Sequence, residues 1–171
     1  PGTIYTIDPS LDTKFEIKIN DEINILTTPQ LWKKIAPPEW ISKIKPIAGY
    51  SGEIMNKYKF PKIDFAYIDG HHVYEAVEHD FYASLNTSSN AFRILFDDYA
   101  LSDGVTKLID DDVSENFGGM LIKTNTEHAY KELGLDLNSK FGVYHAMCWF
   151  ESDSLKKPLQ QIYPVHKIND V

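Results

Sequence analysis

The sequence is short of cysteine, of long apolar runs, of basic charge and of closely spaced glycines, and each shortage narrows what it can be. Cys148 is the single cysteine, so no disulfide can close within the chain, and a reducing, cytoplasmic setting is the expectation. It lies in Ala146-Met147-Cys148-Trp149-Phe150. It reads as a plain buried thiol, because free cysteine packs as a small hydrophobe. No apolar run approaches the ~20 residues a helix needs to cross a bilayer. No basic segment leading into an apolar stretch opens the sequence either, so no membrane partner is expected. Lys and Arg number 17 against 25 Asp and Glu, a formal charge of −8. Phosphate backbones favour a basic face, so no nucleic-acid partner is expected. Finally, no Gly-x-Gly occurs, and Gly118-Gly119 stands far downstream of where a nucleotide-binding turn would sit.

What is present is an ordinary globular composition. Its 171 residues suffice for a single domain over 1–171 with a real core, and are too few for two. Thr3 to Asp8 is rich in β-formers and stops at Asp8-Pro9-Ser10, a turn signal. Phe15, Ile17 and Ile19 alternate with polar residues, and Ile23 to Leu26 follows Asn20-Asp21-Glu22, which suggests an antiparallel hairpin. Thr28-Pro29 suggests a helix N-cap followed by proline at the first helical position, with a break at Pro37-Pro38 and another helical turn over 39–43. From there strand and helix alternate. Lys45 to Gly49 reads as a strand, Ser51 as the cap of a helix to about Tyr58, and Ile63 to Ile68 as a buried strand. Val73 to about Leu85 reads as a helix with Val73, Val77 and Phe81 on its apolar face. Thr87 to Asn90 reads as a loop and Phe92 to Phe96 as a strand. Gly104 to Asp112 reads as a helix with Val105, Leu108 and Ile109 inward. Gly119 to Thr124 and Phe141 to Phe150 suggest two more strands, the last antiparallel, with a loop or short helix at 130–134. This alternation predicts an α/β, doubly wound, mostly parallel sheet with an antiparallel C-terminal strand.

Three of these strands end in acid: Asp8, Asp69, and the pair Asp97-Asp98. In a doubly wound sheet the carboxyl ends of parallel strands line the ligand crevice. Aspartate also ends strands simply because it favours turns. Acids gathered at one rim, with His72 beside one of them, point instead to a cation or a hydroxyl-bearing ligand. The remaining histidines carry plainer readings. His71 reads as solvent-facing or as a group supporting the site from behind, and His79 as a surface pair with Glu75; His128, His145 and His166 have no evident partner. Tyr99 and Trp149 read as core aromatics, with a substrate pocket as the alternative.

The segment 63–80, Ile-Asp-Phe-Ala-Tyr-Ile-Asp-Gly-His-His-Val-Tyr-Glu-Ala-Val-Glu-His-Asp, resembles a family of class I, Rossmann-like S-adenosylmethionine-dependent methyltransferases that includes bacterial O-methyltransferases of sugars and natural products. The resembling features are an apolar strand followed by Asp-Gly-x-His-x-Tyr-Glu-Ala-Val, and a later strand ending Asp97-Asp98-Tyr99. Gly104-Val105 opens the next helix, and Thr3 to Pro9 resembles the family's second strand. The resemblance covers roughly residues 3–112. It implies methyl transfer to a small-molecule hydroxyl, with Asp8 accepting hydrogen bonds from the cofactor ribose, Ser51 near the adenine and Asp69 at the cofactor site. In metal-using members it implies a divalent cation on Asp69, Asp97 and Asp98, for which all-oxygen ligation would suit Mg²⁺, with Mn²⁺ or Ca²⁺ as alternatives. His72 corresponds to a general base, a task that imidazole suits near neutral pH. The cation would lower the substrate hydroxyl pKa.

One departure qualifies this picture. The family's first strand and glycine-rich turn have no counterpart here. The chain starts at Pro1-Gly2 without Met and enters a strand almost at once, as an N-terminally truncated piece of a longer protein would. In the family that strand lies between the second and fourth, so its slot would be filled by a preceding segment, by direct pairing of 3–8 with 63–69, or by a strand from another copy. Two other classes therefore stay open: a non-catalytic methyltransferase-fold module for binding or oligomerisation, and an NAD-binding oxidoreductase domain, in which an acid such as Asp8 also serves. The substrate, and whether the chain forms a homo-oligomer, cannot be read from the sequence.

Overall fold

The computed structural model describes residues 2–117, 121–123 and 146–151. The chain divides into two compact units, Pro1–Lys59 and Phe60–Val171.

In the first unit, β1 (Ile4–Asp8) pairs in parallel with β4 (Ile44–Ala48), Ile4 opposite Ile44. Between them lie the hairpin β2 (Phe15–Ile19) and β3 (Glu22–Leu26) and two short helices, α1 (Thr28–Ile35) and α2 (Pro38–Ile41). The hairpin turns on Asn20 and Asp21, at φ 50° and 64°. Both central residues of a type I′ turn need positive φ, and Asn and Asp tolerate it best after glycine. Helix α1 begins one residue earlier than the Thr28-Pro29 signal predicts. Thr27 is the cap, and Gln30 Oε1 accepts the Thr27 N–H at 2.9 Å. The acceptor three residues on decides the start, because it satisfies the backbone donor of the cap. Helix α3 (Ser51–Lys57) likewise has Tyr50, not Ser51, at its cap. Gly49, at φ 144°, makes the turn into it, a conformation that side-chain-bearing residues rarely adopt.

In the second unit, a four-stranded sheet runs in the order β5 (Ile63–Ile68), β6 (Ser88–Phe96), β8 (Ala146–Glu151), β7 (Leu121–Lys123). Strands β5 and β6 are parallel, and β8 is antiparallel to both of its neighbours. Helix α4 (Tyr74–Thr87) makes the crossover from β5 to β6. A continuous helical stretch then follows: α5 (Asp103–Lys107), a π-helical segment over Leu108–Val113, and α6 (Ser114–Phe117).

The fold is thus mixed α/β. It is not mostly parallel, since three of the five strand pairings among the described residues are antiparallel.

Cross-strand partners share a face, so the rows Ala66–Ile94–Cys148 and Ile68–Phe96–Ala146 line one side of the sheet. Val77, Phe81 and Leu85 of α4 pack there with Val105, Leu108, Ile109 and Val113. Burial pushes the Cys148 thiol up to about 12, as expected of a plain core cysteine. The opposite face, carrying Phe65 and Tyr67, is far more open; the two are 53% and 50% exposed.

Several expectations need correction. Val73 caps α4 and stands exposed instead of joining its apolar face, because the helix starts at Tyr74. Residues 88–90 are strand instead of loop, and α4 runs straight into them at Thr87. Ser88 Oγ donates to Leu85 O at 2.6 Å and Ile63 pairs with Ser88 before the register shifts, so buried serine hydrogen bonding substitutes for apolar patterning. His79 lies beside Asp80 at 3.3 Å, not Glu75. The π-helical turn had no sequence signal. Tyr99 packs on the core and donates to Asp110 at 3.1 Å. Expectations at residues 118–120, 124–145 and 152–171, with His128, His145 and His166, and for the Trp149 side chain, lie outside the described residues. No helix among the described residues is long and apolar enough to cross a membrane.

Candidate functional site

Parallel pairing brings the carboxyl ends of β5 and β6 to the same rim. Ile68 stands opposite Phe96, and the ladder continues one step further, Asp97 N–H donating to Ile68 O at 3.0 Å. Asp69 and Asp97 therefore leave the sheet side by side.

The two adjacent acids after β6 take different directions, and strand geometry explains why. Asp97 still follows the alternation of β6, two residues on from Leu95, which is paired with Tyr67. The Tyr67 hydroxyl accordingly donates to Asp97. Asp98 breaks the alternation at φ 55°, a left-handed conformation that a non-glycine residue adopts rarely and often at functional sites. That turn swings its carboxylate towards His72, with Oδ2 at 3.1 Å from Nε2. Asp69 Oδ1 lies 3.8 Å from the same nitrogen. Asp69, His72 and Asp98 can each offer one ligand atom, all within 4.8 Å of one another, the group with that property among the described residues.

Sequence reasoning assigned the ligand trio to Asp69, Asp97 and Asp98, with His72 as base. The structure gathers all four, but His72 stands inside the trio while Asp97 is engaged by Tyr67. Tyr67 is the residue the sequence reading missed. Its signal was available, because period two places it on the same face as Asp69. Partial burial, then the Asp97 hydrogen bond, holds its phenol well above the ordinary tyrosine range, so it keeps its proton and serves as a hydrogen-bond donor to Asp97. His71 is exposed, as expected.

The chain matches no family model and no curated protein at a significant level.

Asp8 and Ser51 belong to the first unit. Asp8 ends β1, and its Oδ1 accepts from Ser10 N at 2.6 Å and Ser10 Oγ at 2.7 Å, an Asx turn. Ser51 is the first residue of α3 and half-buried.

The rim carries an electrostatic cost. Burial raises the Asp69 pKa above its ordinary value, the charges of Asp97 and Asp98 add to the rise, and His72 and the Tyr67 hydrogen bond oppose it. A carboxyl whose folded pKa is raised binds more protons folded than unfolded. Its ionised form therefore weakens the fold as pH rises through the window that begins near 3.8. Asp69→Asn should raise the thermal midpoint of the cation-free chain at pH 7, and the gain should shrink as pH falls into that window. A lowered midpoint at pH 7 in thermal melts followed by circular dichroism would contradict this account.

Proposed function

We propose that the protein is an S-adenosylmethionine-dependent methyltransferase acting on a small-molecule hydroxyl, assisted by a divalent cation held at Asp69, His72 and Asp98. The observation that carries this reading is the convergence of two carboxylates and an imidazole at the carboxyl ends of two parallel strands, where α/β sheets bind ligands.

The donor set fits a cation. Ligands at ~2.1 Å from a common ion stand about 3.0 Å apart at right angles and about 4.2 Å apart when opposed. The two separations from His72, 3.1 and 3.8 Å, lie inside that range, and all three ligand atoms fall within 4.8 Å of one another. An imidazole among the ligands moves the preference from Mg²⁺ towards Mn²⁺, since nitrogen donors suit later metals.

The sulfonium supplies an electrophilic methyl group, leaving the protein mainly to orient the reacting oxygen and accept its proton. With its Nε2 in the ligand set, His72 would hold the cation with Asp69 and Asp98, and that cation would lower the pKa of a substrate hydroxyl at this rim. Tyr67 keeps Asp97 hydrogen-bonded beside them.

Titration calorimetry of the chain with Mn²⁺, and with S-adenosylmethionine in the presence of Mn²⁺, tests the reading. Saturable 1:1 binding of both is the expected result. Absence of Mn²⁺ binding would remove the cation, and absence of S-adenosylmethionine binding would remove the methyltransferase assignment.

A further inference from the structure

Ser102 occupies the N-cap of α5, at φ −114° and ψ 129°. A serine there ordinarily accepts a hydrogen bond from a backbone N–H in the first turn of its helix, worth ~1 kcal/mol. Here its side chain makes no such bond, and its Oγ donates instead to the His72 carbonyl at 3.0 Å. The hydroxyl is diverted from its own helix to a residue thirty positions earlier.

Two residues on, Gly104 lies against the same backbone. A Cβ at Gly104 would stand 2.2 Å from His72 O, 2.5 Å from Tyr74 N and 2.8 Å from Val73 C. All three are main-chain atoms and none can rotate aside, so only glycine lets α5 abut this segment. The other end of the loop is tied to Asp98, whose carbonyl accepts from Leu101 N at 3.0 Å and Ser102 N at 3.1 Å. Ala100, also left-handed at φ 66°, is held through its N–H by Thr106 Oγ1 at 3.0 Å.

We infer that the loop from Asp98 to Gly104 is a clamp setting the His72–Asp98 spacing, with Ser102 and Gly104 as positioning residues for His72. The inference rests on the reading of Asp69, His72 and Asp98 as a cation site. One loop grips the main chain of both His72 and Asp98, so their 3.1 Å separation is fixed by backbone contacts and not by the side chains alone. Ligands held in place before binding lose less conformational freedom when the cation arrives.

The test is Mn²⁺ affinity, read from the paramagnetic resonance of free Mn²⁺, in the full chain and in Ser102→Ala, Ser102→Thr, Gly104→Ala, His72→Ala and the His72→Ala/Ser102→Ala pair. Amide hydrogen exchange over residues 70–74 is followed in the cation-free proteins. Ser102→Ala weakens Mn²⁺ binding about fivefold, the order expected for one lost hydrogen bond. Ser102→Thr, which keeps the hydroxyl, restores most of it, and folded Gly104→Ala loses more than Ser102→Ala. In the His72→Ala background Ser102→Ala has little further effect, because it acts through His72. A loss of equal size in both backgrounds overturns the clamp, as do unchanged affinity and unchanged exchange in Ser102→Ala. Should the unsubstituted chain bind no Mn²⁺, the cation reading falls and exchange decides the clamp: faster exchange at 70–74 in Ser102→Ala upholds it, and equal exchange overturns it.

Discussion

His72→Ala and Asp98→Asn should each weaken Mn²⁺ binding at least ~100-fold, since loss even of a residue that only supports a ligand costs 10–100-fold. The two substitutions remove different donors. His72→Ala deletes the nitrogen that stands 3.1 Å from Asp98 and 3.8 Å from Asp69, while Asp98→Asn keeps the shape and deletes a charge. Asp97→Asn is the informative comparison. Its carboxylate is engaged by Tyr67 and its Oδ1 accepts the Asp98 N–H at 2.9 Å, so it should lose affinity only about tenfold, the low end of that range, because the amide oxygen of Asn can still accept the Asp98 N–H. The reverse ranking, with Asp97→Asn the worst and His72→Ala mild, would return the ligand set to the three aspartates and His72 to a base. Calorimetric titration of the four proteins reads the ranking directly.

Phe96→Ala should cost ~3–5 kcal/mol of folding stability, the usual price of emptying a fully enclosed aromatic site. Phe96 is completely buried at the end of β6, with its ring centroid 5.8 Å from that of Phe81 on α4. It is the residue through which the helix layer meets the strand just before Asp97 and Asp98. Phe65→Ala, on the open face of β5, should change stability by no more than about 1 kcal/mol, because its ring is already half in water. Equilibrium urea unfolding measures both. Similar losses for the two would mean that the Phe65 face is covered in solution as firmly as the Phe96 face.

These contrasts trace the boundary between what patterning reveals and what it hides. The alternation Phe15, Ile17, Ile19 and the spacing Val77, Phe81, Leu85 are local consequences of how strands and helices bury one side, and they place β2 and α4 without any knowledge of neighbours. The same logic marked Asp69, Asp97 and Asp98 as strand ends. It could not choose among partners. Whether Asp97 or His72 joins Asp69 and Asp98 depends on the left-handed turn at Asp98, and that turn is held by Leu101 and Ser102, which carry no periodic signal. Residues 88–90 depart from their local pattern for a related reason. Ser88 is buried by a hydrogen bond to Leu85 instead of by apolar bulk, and polarity alone looks like a loop.

By itself, the sequence determined where most strands and helices lie and which acids terminate them, because burial periodicity and turn chemistry act over a few neighbouring residues. The tertiary structure alone decided that α5 abuts the His72 main chain through Gly104 and that Tyr67 holds Asp97. Those outcomes depend on register and close approach between segments some thirty or more positions apart, and no local pattern encodes a distance of that kind.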